Sequence, residues 1–118
     1  MGVITWEERP AVFEQCSELA SRAKAAGDDC KKCAARVSEI AQELSNSTNP
    51  VRALADIADH RKEFSLKIHY FGELRASFET MKYWYFRWAT EKKVKEMAAV
   101  IEKQAFQIVA LKRLYKAK

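Results

Sequence analysis

An apolar stripe that runs unbroken from Val12 to Leu44 most constrains what this chain can fold into. At alternating steps of three and four it passes through Phe13, Cys16, Ala20, Ala23, Gly27, Cys30, Ala34, Val37, Ala41 and Leu44. A second line lies beside it at Val12, Leu19, Ala26, Cys33 and Ile40. The charges Glu14, Glu18, Arg22, Lys24, Asp28, Lys31, Arg36, Glu39 and Glu43 fall between the two. Apolar residues at this spacing share one face of an α-helix. The stripe is made of small side chains, so a neighbouring helix can come close and must supply the bulk. Eleven of the thirteen aromatic residues follow residue 63, which is where that bulk would come from.

Two further stripes continue the pattern. One runs Leu54, Ile57, Arg61, Phe64, Ile68, Phe71, Leu74, Phe78, Met81, Tyr85 and Trp88; the other runs Val94, Met97, Ile101, Ala105, Ile108, Leu111 and Tyr115. Going from Trp88 to Val94 turns a helix by about 600° and leaves the stripes about 120° out of phase. A turn or a change of partner is therefore expected at residues 89–93, with Thr90 as a candidate cap. The polar run Ser45-Asn46-Ser47-Thr48-Asn49-Pro50 marks the clearest boundary, with Asn49 able to cap the next helix and Pro50 suited to its first position. Thr5 and Glu8 have the spacing of a capping box for the first helix, which is expected from about residue 11 to Ser45. Gly27-Asp28-Asp29 could end one helix and cap another, and Gly72 could bend the second stripe. The expected fold is all-α: an up-and-down helical bundle of three or four long antiparallel helices, with residues 1–118 as a single domain.

Composition narrows the setting. Three Gly and two Pro leave room for few turns. Three Cys, an odd number, without a secretory pattern around Glu7, Glu8 and Arg9, suit free thiols in a reducing cytoplasm. Met1-Gly2 lacks the Ser or Thr at position six that myristoylation requires, because Trp6 stands there. No stretch approaches the ~18 uncharged apolar residues of a membrane span. Any membrane contact is thus expected to be peripheral or to follow a rearrangement.

The net charge of +5 is segregated. Residues 1–49 carry six basic and eight acidic side chains, residues 50–81 five of each, and residues 82–118 ten basic against three acidic. A basic third of this kind suits an acidic partner: anionic membrane, an acidic protein surface or, less well supported, nucleic acid. The plainer account is that the lysines solvate exposed helix faces. Within this third, Tyr83-Trp84-Tyr85-Phe86-Arg87-Trp88 places five aromatics in six positions, too many for one core-facing side. Trp84, Tyr85 and Trp88 are read as filling the space opposite the small-residue stripe, with Tyr83 partly exposed. Amphipathic rings beside lysines also match a membrane boundary or a partner groove. The expected contact residues are Lys82, Tyr83, Arg87, Lys92, Lys93, Lys95, Lys103, Lys112, Arg113 and Lys116.

Local signatures of catalysis are absent. Cys30-Lys31-Lys32-Cys33 is a C-x-x-C, but both thiols fall on or beside the packing stripe, which favours core cysteines over a redox pair or a zinc site. A helix start at Asp29 would be the exception, since its dipole and the lysines would lower a thiol pKa. His60 lies four residues after Asp56 and three before Glu63, and His69 four before Glu73, yet Ile57 and Leu66 stand where a di-iron bundle would need glutamates. With no phosphate loop, zincin motif or serine elbow, a non-enzymatic chain with no cofactor or metal is expected.

Cys30-x-x-Cys33-x-x-Arg36-Val37, followed by Ile40 and Leu44, then by Pro50 and a helix bearing Leu54, Ile57 and Phe64, resembles the C-x-x-L-x-x-R-V pattern of HeLo-type domains. These are the N-terminal helical bundles of cell-death executors, including mixed-lineage kinase-like pseudokinases and plant resistance proteins. Phe86-Arg87-Trp88-Ala89 is similar to a segment of the related plant mechanosensitive-channel accessory proteins. Cys33 stands where that family prefers Leu, and the Asn-Lys that often precedes the first Cys is missing. The resemblance implies a four-helix bundle that self-associates and engages membranes through basic helices. The resulting expectation is a self-associating module for anionic membrane, of the cell-death or pore-forming kind. The alternatives are a protein-interaction or inhibitor module that docks a helix face, and nucleic-acid binding through the basic third.

Overall fold

The computed structural model describes residues 9–46, 48–86 and 92–116, with side chains for 10–46, 48–85 and 92–114. Every regular element among them is helical: α1 (Arg9–Glu43), a short 3₁₀ turn (Leu44–Asn46), α2 (Pro50–Phe86) and α3 (Lys92–Lys116). They form a rod of 64 × 18 × 17 Å. Its length follows from α1 and α2, which at 35 and 37 residues each span roughly 50 to 55 Å.

α1 continues through Gly27-Asp28-Asp29, so the long helices among the described residues number three. Gly27 is not a helix end: it is buried inside the packed stripe, and no described glycine has positive φ. Gly72 likewise sits within an uninterrupted α2, on its exposed side. The boundary after α1 has the expected chemistry. The Arg52 amide donates to Asn49 Oδ1 at 3.1 Å and the Ala53 amide to the Asn49 carbonyl at 3.2 Å, while Pro50 opens α2. Asn49 thereby satisfies backbone donors that the first turn leaves open. The expected capping box at Thr5 and Glu8, and the expected turn with Thr90 and Trp88, lie outside the described residues.

The core joins the small side chains of α1 to large ones from both partners. Cys16, Ala20, Ala23, Ala26, Cys30, Cys33 and Ala34 meet Phe64, Phe71, Leu74 and Phe78 of α2 and Val94, Ala98, Ile101 and Ile108 of α3. Phe78, Cys16, Ala23 and Cys30 are completely buried. Each buried phenyl ring contributes on the order of 1.5–3 kcal/mol by leaving water, so α2 provides most of the apolar anchoring. A second cluster of Val37, Ile40 and Ile57, with Ala53 packed against it, is built from α1 and α2 alone.

α1 lies against both other helices, whereas α2 and α3 share few contacts. Arg22 Nη2 donates to the Tyr70 hydroxyl at 3.3 Å and Cys33 Sγ to the His60 carbonyl at 3.3 Å, so α2 numbers fall as α1 numbers rise. Gln104 Nε2 reaches the Lys24 carbonyl and Asp28 Oδ1, and Lys31 Nζ reaches Gln107 Oε1 at 3.2 Å, so α3 numbers rise with those of α1.

Three sequence expectations need correction. Leu54 is exposed because Ala53 and Ile57 face α1 instead, and Ala41 is exposed near the end of its own stripe. Trp84 is also exposed rather than filling space opposite α1. It follows Phe78 by six residues, about 600° of helical turn, and therefore points well away from the core line.

Candidate interaction surface on α3

The cysteines and histidines are placed by packing and local contacts, while among the described residues Arg61 Nε, Arg75 Nε and Gln104 Oε1 are buried without a hydrogen-bond partner. Cys16, Cys30 and Cys33 are buried and joined in no disulfide. Burial pushes the Cys30 thiol up to about 11, and it also raises Cys16 and Cys33, with Glu63 adding to the effect at Cys33. The C-x-x-C lies inside α1, so no helix start is available to activate it. His60 Nδ1 donates to the Asp56 carbonyl at 2.8 Å, and exposed His69 stands 3.0 Å from Glu73 Oε1. Among the described residues no cluster of three or more His, Cys, Asp or Glu could hold a metal ion. Nor is any described helix long and apolar enough to cross a membrane.

The basic residues singled out in the sequence occupy different positions. Lys82 is half-buried on α2 and pairs with Glu79 at 2.9 Å. Tyr83 is exposed, with its ring edge-on to Trp84 at a centroid distance of 5.4 Å. Lys92, Lys93, Lys95, Lys103, Lys112 and Arg113 are all exposed on α3. Within the described residues they form no ion pairs, in contrast to Lys24, Lys31, Arg36 and Lys67, which pair with nearby carboxylates. Lys116 is the last residue of α3 with its side chain outside the described set, and Arg87 lies outside the described residues.

At 100° per residue, Lys92, Lys95, Lys103 and Arg113 fall within an arc of about 80° on the side of α3 opposite Ile101. Glu96 and Glu102 border the arc. Lys93 lies to one side, toward α1, and Lys112 falls in line with the core stripe beyond Ile108 and Leu111. Within the arc are Ala99, Ala110 and Phe106, whose ring is 75% exposed. Phe106 has Lys103 three residues before it and Arg113 seven after, the spacings that put side chains side by side on a helix. Sequence reasoning passed over Phe106 because it is off the apolar line. Its one available signal was an aromatic ring on an otherwise polar face.

A groove of about 420 Å³ runs between α1 and α3. Ala20, Met97, Val100 and Ile101 form an apolar floor, and Ser17, Ser21, Lys24, Lys93 and Glu96 supply the polar rim. Lys24 is held by Asp28 Oδ2 at 3.4 Å.

No protein-family model matches the chain, and no curated protein or solved structure is significantly similar to it.

Proposed function

We propose that this chain is a non-enzymatic, self-associating module, its three helices forming an up-and-down antiparallel bundle, which engages anionic membrane through the outward face of α3. The observation that carries this reading is Phe106, 75% exposed on a face it shares with Lys92, Lys95, Lys103 and Arg113. A ring surrounded by long cationic side chains suits the interfacial zone, where the apolar part enters the acyl boundary and the charges stay at the headgroups. Each lysine or arginine near an anionic surface contributes about 1 kcal/mol, and salt weakens it. Self-association is assigned to α2, where exposed Leu66 and Trp84 stand in line about five turns apart. The cell-death or pore-forming role rests on the HeLo-type resemblance alone.

Co-sedimentation with vesicles of phosphatidylserine and phosphatidylcholine tests the reading. Binding should rise with the phosphatidylserine fraction and fall with salt. Phe106→Ser should weaken it about tenfold through the lost ring burial, leaving the salt slope unchanged. The pair Lys103→Glu and Arg113→Glu should flatten the salt slope. Equal binding to neutral and anionic vesicles would refute the proposal, as would a Phe106→Ser protein that binds like the original.

A further inference from the structure

We infer that the groove between α1 and α3 is a binding site for one single-chain amphiphile with a monoanionic head, a medium-chain fatty-acid carboxylate. The groove combines an apolar floor of Ala20, Met97, Val100 and Ile101 with a rim that carries two lysines and one glutamate. Its volume of about 420 Å³ lies within the range of small-molecule sites. Charge is distributed along it unevenly. Lys24 is tied to Asp28 at 3.4 Å, whereas Lys93 has no ion-pair partner among the described residues. The rim therefore offers one uncommitted cation, Lys93 at one end, with Glu96, likewise unpaired among the described residues, one turn further along α3.

The two helices fix where that cation stands. Because α1 and α3 numbers rise together, from Lys24 and Asp28 opposite Gln104 to Lys31 opposite Gln107, Lys93 lies toward the Ser17 end of the groove. A carboxylate at that end would meet the Lys93 ammonium and the Ser17 hydroxyl, and its chain would run over Ala20, Met97 and Val100 toward Ile101. The lining runs from Ser17 to Lys24 on α1 and from Lys93 to Ile101 on α3, roughly 10 to 12 Å of helix. An extended chain advancing roughly 1.2 Å per bond covers that distance with about eight to ten carbons. This site does not depend on the membrane reading, because its residues lie off the outward face that carries Phe106.

The test is an NMR titration of the ¹⁵N-labelled chain with sodium decanoate below its micelle concentration. Decyltrimethylammonium serves as the control of the same chain and opposite charge, and butyrate as the same head without the chain. Saturable shifts are expected at residues 17–24 and 93–101, with decanoate at least about tenfold tighter than decyltrimethylammonium, as one charge-assisted contact implies, and than butyrate, as the lost methylene burial implies. Lys93→Glu should reverse the preference between decanoate and decyltrimethylammonium. Ser21→Trp, at an exposed rim position, should fill the groove and abolish both while circular dichroism stays helical. Non-saturating shifts, shifts centred on α2, equal affinity for the two decyl compounds, or a Lys93→Glu protein with unchanged preference would overturn the inference.

Discussion

The side-chain amide of Gln104 in α3 lies so close to Gly27 of α1 that a β-carbon on residue 27 would stand 2.7 Å from its Oε1 and 2.9 Å from its Nε2. The amide is deeply buried, and Nε2 donates to the Lys24 carbonyl at 3.1 Å and to Asp28 Oδ1 at 2.9 Å. Its Oε1 is buried with no hydrogen-bond partner. The missing side chain at residue 27 is therefore what admits the one polar residue in the described core, and that residue holds α3 in register on α1.

Gly27→Ala should accordingly lower stability by about 1 kcal/mol. The methyl group displaces the Gln104 amide from its two hydrogen bonds, each worth about 0.5–1.5 kcal/mol, and this outweighs the roughly 1 kcal/mol that alanine adds to a helix interior. In a Gln104→Ala background the same substitution should become stabilising. Urea titrations of the four proteins measure the coupling directly, and additivity of the two substitutions would contradict the contact.

Gly72 provides the opposite case. It lies in the exposed face of α2, and a β-carbon there would meet nothing within 4 Å. Gly72→Ala should stabilise the protein by about 0.5–1 kcal/mol and raise the thermal midpoint by a few degrees. A drop in midpoint would mean that α2 needs the glycine for a bend.

Alkaline pH should destabilise the fold through the cysteines. Burial holds the Cys30 thiol at about 11 in the folded chain, against an ordinary 9.0. The unfolded chain therefore loses this proton first as pH rises, and stability that is fully present below pH 9 is lost between about 9 and 11. The buried Cys16 and Cys33 shift in the same direction. Replacing Cys30 with Ala should flatten the decline in urea midpoint over that interval, whatever the cavity costs at neutral pH. At pH 8 a thiol reagent should modify the native protein only as fast as it opens, with no fast pair at Cys30 and Cys33.

Much of the fold was legible in the residues. The stripe of α1 was predicted nearly position by position, and of its two lines only Ala41 turned out exposed. Helical repeat alone decides which side chains share a face, so local periodicity was sufficient. The start of α2 was equally readable, since Asn49 and Pro50 act within a single turn. The α3 surface was only half visible, since charge segregation pointed to its lysines but Phe106 was overlooked; on α2, of the two placements read for Trp84, the core-filling one fails and the ring is exposed.

The sequence by itself determined an all-helical chain of amphipathic stripes, the boundary at Asn49-Pro50 and the matching of a slim first stripe with bulkier ones, because these depend on neighbours a few residues apart. Only the tertiary structure decided that α1 runs through Gly27, that Gln104 packs there, and that Lys93 rims a groove while Lys103 and Arg113 flank an exposed ring. Those outcomes depend on the rotation and axial offset of one helix against another, set by contacts between residues some 80 positions apart, which no local pattern encodes.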